Sequence, residues 1–271
     1  MQQTSTADSW VSPLAAAPTL QYATRTATNE IIEFAQPARS TVKHAPADHS
    51  VIALVGLAFE GRIASGPGAV VICRNTMREA ASSINQALQK GCRRIISFGV
   101  AGGLAPHLRP GNWVVASSII DAQQSLPTDR VWSEKILATI PGAEHRPIVG
   151  VDYAVATPEA KRRMHVETGA AAVDMESHLV ARLASTHGLS FTAIRVVIDP
   201  AHRMLSGAAL AGMRPDGGTN ILAVVRELIA GPSQLCGLLR VACDAYAARR
   251  GLLRARRLLG PDFGLLGLSE T

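Results

Sequence analysis

Aromatic side chains are scarce, at 4% of the 271 residues, too few for the stacking platforms on which single-stranded nucleic acids usually rest. The four cysteines, Cys73, Cys92, Cys236 and Cys243, form neither a CxxC pair nor a Cys/His zinc pattern, so neither a disulfide framework nor a structural zinc site is indicated and a reduced, cytoplasmic setting is expected. His107, His165, His178, His187 and His202 are scattered without metal spacing, and neither a metal nor a cofactor is expected. No uninterrupted apolar run approaches the roughly 18 residues that span a bilayer, and the N-terminus lacks the basic start and apolar stretch of a signal peptide. The expected protein is soluble, at most resting on a membrane surface.

What is present is an apolar body and an uneven charge. Hydrophobic residues make up 47% of the chain, enough for one large domain or two small ones. Between Arg240 and Arg257 six arginines face a single acid, Asp244, a local charge of +5 out of a total of +6. The rest of the chain is therefore nearly neutral, which argues against a body built to bind nucleic acid, since that needs Lys and Arg spread over a face.

Residues 1–49, rich in Ser, Thr, Ala, Pro and Gln, hold no lasting hydrophobic period and read as a poorly ordered extension. Short apolar, β-branched runs then begin at 51–56 and recur at 69–73, 94–98, 113–120 and 191–198, as expected of strands buried on both faces. The first of them reads as leading into a loop. Helical spacing appears at 76–89, 158–168 and 176–187, the first and last ending at Gly91 and Gly188. Strands alternating with helices predict an α/β layered domain over 50–218 with a parallel or mixed sheet, whose chemistry collects beyond the strand carboxyl ends. A helical, arginine-rich extension is expected over 219–271, with helices at 221–230 and 234–259.

Four segments could carry chemistry. In Gly56-Leu57-Ala58-Phe59-Glu60-Gly61-Arg62 an acid and a guanidinium leave the first strand, although a solvated loop is the commoner origin of any one such acid. Gly99-Val100-Ala101-Gly102-Gly103-Leu104 lets a ligand approach the backbone, or is simply a tight connection; it is neither GxGxxG nor GxxxxGK[ST]. Asp199, at a strand end, could be a general acid whose pKa is raised by desolvation, or a helix N-cap, or a partner for Arg203. Val173-Asp174-Met175-Glu176-Ser177-His178 places Glu176 in the first turn of a helix, where an acid is favourable without any further role.

Together GVAGGL after a strand, VDMES opening a helix and RVVID at a strand end resemble the nucleoside phosphorylase and nucleosidase superfamily over residues 51 to about 203. One branch is matched further: VGLAFEGRIA, GVDYAVATPEAK and DPAHRMLSGAALAGMRPDGGTN with the arginine-rich tail resemble the hopanoid-associated phosphorylases. The resemblance implies a three-layer αβα sandwich around a central mixed, twisted sheet, a homo-oligomer, and release of adenine through a ribosyl oxocarbenium-like transition state. It implies Asp199 as the acid that protonates adenine N7, Glu176 and Met175 as the ribose site, Ala101 and Gly102 as backbone borders of base and ribose, and Val155 as a cover for the adenine.

The attacking group is less determined by resemblance. Glu60 matches the glutamate with which nucleosidases activate water, though its offset from Gly56 is one residue shorter than in the methylthioadenosine enzymes. Phosphorylases bind phosphate with glycine and arginine after the first strand, where Arg62 is the candidate for phosphate and Gly56 is expected to border the substrate, and with an arginine and a Ser or Thr that are here replaced by Ser97 and Val100. Hydrolysis is thus favoured modestly, with phosphate open as a co-substrate. Ile198 stands where methylthioadenosine nucleosidases carry Ser.

The leading reading is cleavage of adenosylhopane, a nucleoside linked to a lipid; the tail arginines are then either a solvated helix face, the commoner case, or a basic helix resting on an anionic membrane from the cytoplasmic side, with Leu235, Leu238, Leu239, Ala242 and Tyr246 facing protein or membrane. Its rivals are a soluble substrate such as methylthioadenosine or inosine, and a non-catalytic basic adaptor for membrane or nucleic acid.

Overall fold

The computed structural model describes residues 49–73, 77–205 and 235–265. The extension over 1–48, the segment 206–220 and the helix expected at 221–230 lie outside the described residues.

Eight strands form one mixed sheet: β1 (His49–Val55), β2 (Gly68–Cys73), β3 (Arg94–Gly103), β4 (Trp113–Ile120), β5 (Ser125–Pro127), β6 (Glu144–Gly150), β7 (Ala172–Asp174) and β8 (Ser190–Asp199). β1 runs parallel to β2 and β3, and β3 is parallel to β8. β3 then pairs antiparallel with β7, β7 lies parallel to β6, β6 parallel to β4, and β4 returns antiparallel to β8. These pairings close a ring of five strands, β3-β7-β6-β4-β8, so the sheet is curled at this end.

The two faces of the sheet are divided by the side-chain alternation of each strand. Ile52, Leu54, Ile95, Ala193 and Val197 pack with α2 (Met77–Gln89) and α5 (Ser177–His187) through Ile84, Val180 and Ala184. Val51, Ala53, Val55, Ile96, Ile194 and Val196 pack on the opposite face with α1 (Ala58–Ala64), α3 (Arg130–Thr139) and the C-terminal helix α6 (Leu235–Leu259). The result is the three-layer α/β sandwich expected from the resemblance. α4 (Pro158–Thr168), capped by Thr157 and ended by left-handed Gly169, precedes β7.

Two local expectations change. The first strand leads into α1 after two residues, not into a loop, because the Glu60 carboxylate accepts hydrogen bonds from the backbone N–H groups of Gly56 and Leu57 at 3.0 and 2.7 Å and so caps the helix start. The glycine-rich segment after Phe98 is strand through Gly103, since β8 and β7 supply ladder partners along its length.

The arginine-rich helix α6 is part of one layer of the sandwich, beside α1 and α3, and not an appendage. Ala248, Leu252, Ala255 and Leu259 are buried at helical spacing. Gly251 allows the closest approach, for a Cβ there would meet Val196 Cγ1 at 2.8 Å, and its carbonyl accepts from Trp113 Nε1 at 3.2 Å. Arg256 turns inward to donate to the Ala64 carbonyl at 3.1 Å, and Arg254 lies over the Trp113 ring. Arg240, Arg249, Arg250 and Arg257 remain exposed. Among the described residues no helix is long and apolar enough to cross a membrane.

Candidate active site

The helix that follows β1, the middle of β8 and the end of β7 leading into α5 bring four charged side chains together. Glu60 faces inward from α1 and is buried. Its Oε2 takes the Gly56 and Leu57 N–H groups, and its Oε1 takes the Val100 N–H at 2.7 Å. Burial pushes its pKa up to about 7, against the lowering influence of the Arg195 guanidinium, and the nearby Glu176 raises it further.

Arg195 is the centre of this group. It projects from the middle of β8, is 1% exposed, and donates from Nε to Asp174 Oδ2 at 2.5 Å and from Nη2 to the hydroxyls of Ser97 and Ser177 at 2.7 and 3.1 Å. Its Nη2 also lies 4.0 Å from Glu176 Oε2. Surrounding carboxylates, Asp174 first, hold its pKa above the ordinary value despite its burial. Asp174 in turn accepts the N–H groups of Glu176 and Ser177 at 3.1 and 2.8 Å, which satisfies the exposed donors at the start of α5 and fixes where Glu176 emerges.

Glycines make this convergence possible. A Cβ on Gly56 would sit 2.6 Å from the Glu176 carboxyl carbon, and one on Gly99 would sit 2.5 Å from Glu60 Oε1 and 2.9 Å from Arg195 Nη1. Gly99 therefore needs the absence of a side chain, since Glu60 and Arg195 are buried and held there, while a side chain at Gly56 would displace the movable end of Glu176.

A second, separate ion pair stands at the end of β8. Asp199 is buried and opposes Gly102 across an irregularity in the ladder. Its Oδ2 accepts from Lys161 Nζ, which is fully buried, while its Oδ1 is buried with no hydrogen-bond partner among the described residues. Burial raises its pKa, offset in part by Lys161. The two other roles open for Asp199 are not what the structure shows: no described helix starts there, and Arg203 pairs with Asp244 of α6.

The structure brings Gly56, Glu60 and Glu176 into contact and sets Gly102 beside Asp199. Ala101 is buried in β3, one residue from Gly102. Met175 and Glu176 precede α5, Glu176 being its N-cap and not a first-turn residue. Val155 is buried with Leu104, Val149, Ala170 and Val173 in a small apolar cluster next to β7. Arg62 is the exception. Two residues on from Glu60 in the same helix it points to the opposite face and is exposed, so it does not join the buried group.

Sequence reasoning missed Arg195 and Lys161. A guanidinium inside an otherwise apolar strand was the available signal for the first. Lys161 sits in a helix of surface composition, and nothing in its neighbourhood of the sequence marks it as buried.

The model of the phosphorylase superfamily matches residues 33–230. The chain belongs to that superfamily. As a member it is an enzyme of N-glycosidic bond cleavage, the reaction class that the sequence resemblance implies. Among solved structures it is similar to the 5'-methylthioadenosine/S-adenosyl homocysteine nucleosidase of Helicobacter pylori, with 14% identity, 77% of this chain and 98% of that chain covered and a TM-score of 0.53. A variant of that enzyme with 5'-methylthioadenosine in its active site gives 15% identity, 76% and 97% coverage and a TM-score of 0.52. The Campylobacter jejuni nucleosidase gives 13% identity, 76% and 99% coverage and a TM-score of 0.51. At this identity the likeness establishes the fold. No curated protein matches.

Proposed function

We propose that the protein hydrolyses the N-glycosidic bond of a 5'-substituted adenosine and releases adenine. The observation that carries the choice of water over phosphate is the state of the anion-binding groups. The backbone N–H groups of Gly56, Leu57 and Val100 all point at one spot, and the Glu60 carboxylate already occupies it. Arg195, the guanidinium beside Ser97, is committed to Asp174, Ser97 and Ser177. A phosphate dianion placed here would face three carboxylates and find its donors taken.

In this reading Glu60, poised near neutrality, accepts a proton from the attacking water. Glu176 accepts hydrogen bonds from the ribose hydroxyls beside Met175. Asp199 passes a proton from Oδ1 to N7 as the electron pair of the glycosidic bond moves onto the purine. Ala101, Gly102 and Val155 border the nucleoside. The nucleosidases similar in fold act on methylthioadenosine, which supports adenosine chemistry in general.

The sequence resemblance to the hopanoid-associated phosphorylases supports adenosylhopane as the particular substrate. The outer face of α6, with Arg249, Arg250, Arg257, Tyr246 and Leu258 exposed, supports contact with an anionic lipid surface from which such a substrate would be drawn.

The test compares adenine release from adenosylhopane and methylthioadenosine, each with and without phosphate. Release without phosphate, faster from adenosylhopane, is expected. A strict phosphate requirement overturns the choice of water, and a preference for methylthioadenosine overturns the lipid-linked substrate. Charge reversal at Arg249 and Arg250 should weaken binding to anionic vesicles while sparing turnover of the soluble nucleoside.

A further inference from the structure

Lys161 is the sole residue of α4 that is buried, on a helix otherwise made for the surface. Packing alone does not call for an ammonium there; Leu or Met would fill the space without the strong desolvation that a buried cation suffers. Each of its three N–H bonds has a partner: Asp199 Oδ2, the Pro200 carbonyl at 3.2 Å and the Arg203 carbonyl at 2.9 Å, so its donor capacity is full. The Thr157 hydroxyl accepts the Ala160 N–H at 3.2 Å and Pro158 opens the helix, which fixes the turn from which Lys161 projects. The loop after β8 is held by the same cation that holds the carboxylate. Asp199 is thereby left asymmetric, with Oδ2 occupied and Oδ1 buried without a hydrogen-bond partner among the described residues.

We propose that Lys161 is the positioning residue of the acid: it reserves Oδ1 as the oxygen that carries the transferable proton, and it holds the counter-charge for the carboxylate that remains after transfer. The proposal rests on the assignment of Asp199 as the acid made above. The proton leaves Oδ1 for N7, the electron pair of the C1'–N9 bond goes to the purine, and the negative charge that appears on Asp199 is balanced by the ammonium already in place. Lys161 touches neither substrate nor reacting atom.

The experiment measures kcat and KM for wild type, Asp199→Asn, Lys161→Met and Lys161→Gln on two substrates. One is the 5'-substituted adenosine that wild type cleaves, whose base needs a proton to leave; the other is para-nitrophenyl riboside, whose phenolate leaves without one. Lys161→Met should lower kcat on the nucleoside by about 100-fold, within the usual range for lost acid catalysis, with KM changed by less than about threefold, and should keep the nitrophenyl riboside within about threefold of wild type. Lys161→Gln, which keeps donors but not the charge, should show the same selectivity and decides the matter if the Met variant does not fold. Equal loss on both substrates in the folded variant, or wild-type turnover of the nucleoside, overturns the proposal. If Asp199→Asn itself spares the nucleoside, it is the assignment of the acid that has failed.

Discussion

The two buried ionic groups of the candidate site use the same chemistry in opposite balance. Around Glu60, three carboxylates (Glu60, Asp174 and Glu176) share one guanidinium, Arg195. At Asp199, a single carboxylate has its own ammonium, Lys161. Burial raises Glu60 to about 7 against the pull of the Arg195 guanidinium, with Glu176 adding to the rise; in the proposed mechanism this readies it to accept a proton, and the neighbouring carboxylates oppose an incoming anion. A matched cation lets Asp199 give a proton up and remain as carboxylate. In the proposed mechanism two carboxyl groups of similar intrinsic strength are thus separated into base and acid by their surroundings, the usual way in which one site performs both tasks at one pH.

The largest effect should come from removing the cation of the crowded group. Arg195→Met leaves buried carboxylates without their partner and should destabilise the protein by about 3–5 kcal/mol, as breaking a buried ion pair generally does, measured by urea unfolding at neutral pH. A change below about 1 kcal/mol would show that the carboxylates do not depend on Arg195.

Next in size is the pH response. The base must be ionised, so turnover should rise with pH through about 7, the value to which Glu60 is raised. Glu176 contributes to that rise, so Glu176→Gln should move the limb to lower pH even though the overall rate falls. The same shift has a consequence for stability. Because the folded value lies above the ordinary 4.5, the contribution of Glu60 is fully present below about 4.5 and is lost as pH rises through about 7. A limb in the ordinary carboxylate range would break the contrast between the two groups.

The smallest structural perturbation is Gly56→Ala. Its Cβ would collide with the movable end of Glu176 and not with backbone, so stability should change by less than about 1 kcal/mol. KM for the nucleoside should rise about tenfold as the ribose carboxylate is displaced, equivalent to about 1.4 kcal/mol of binding. Unchanged KM would remove Glu176 from the ribose site.

Much of the layered fold was legible because the buried strands announce themselves as short β-branched runs and the longer helices end in glycine, at Gly91 and Gly188. α1 was not, since its cap is the carboxylate of Glu60 reaching back to Gly56 and Leu57, a contact that a loop-like GLAFEGR does not advertise. β5, β6, β7 and α3 were also passed over; β5 and β7 have three residues each, too short for any period to register. Asp199, Glu60 and Glu176 could be picked out because each follows a strand or opens a helix. Lys161 could not, because it acquires meaning only when α4 is laid beneath the end of β8; Arg195 carried a signal, as a guanidinium in an apolar strand, but its partners appear only when β8 is laid beside β3. Arg62 illustrates the converse: close to Glu60 in sequence, it is turned away by the helix that sequence reading took for a loop.

The central claim is that the crowded carboxylate group admits water and refuses phosphate. The direct measurement is to run one turnover of the adenosine substrate in water carrying a heavy oxygen isotope, with phosphate present, and to analyse the sugar by mass spectrometry. Free sugar bearing a single heavy oxygen at C1' is the predicted product. A sugar 1-phosphate whose C1' oxygen comes from the phosphate would contradict the account.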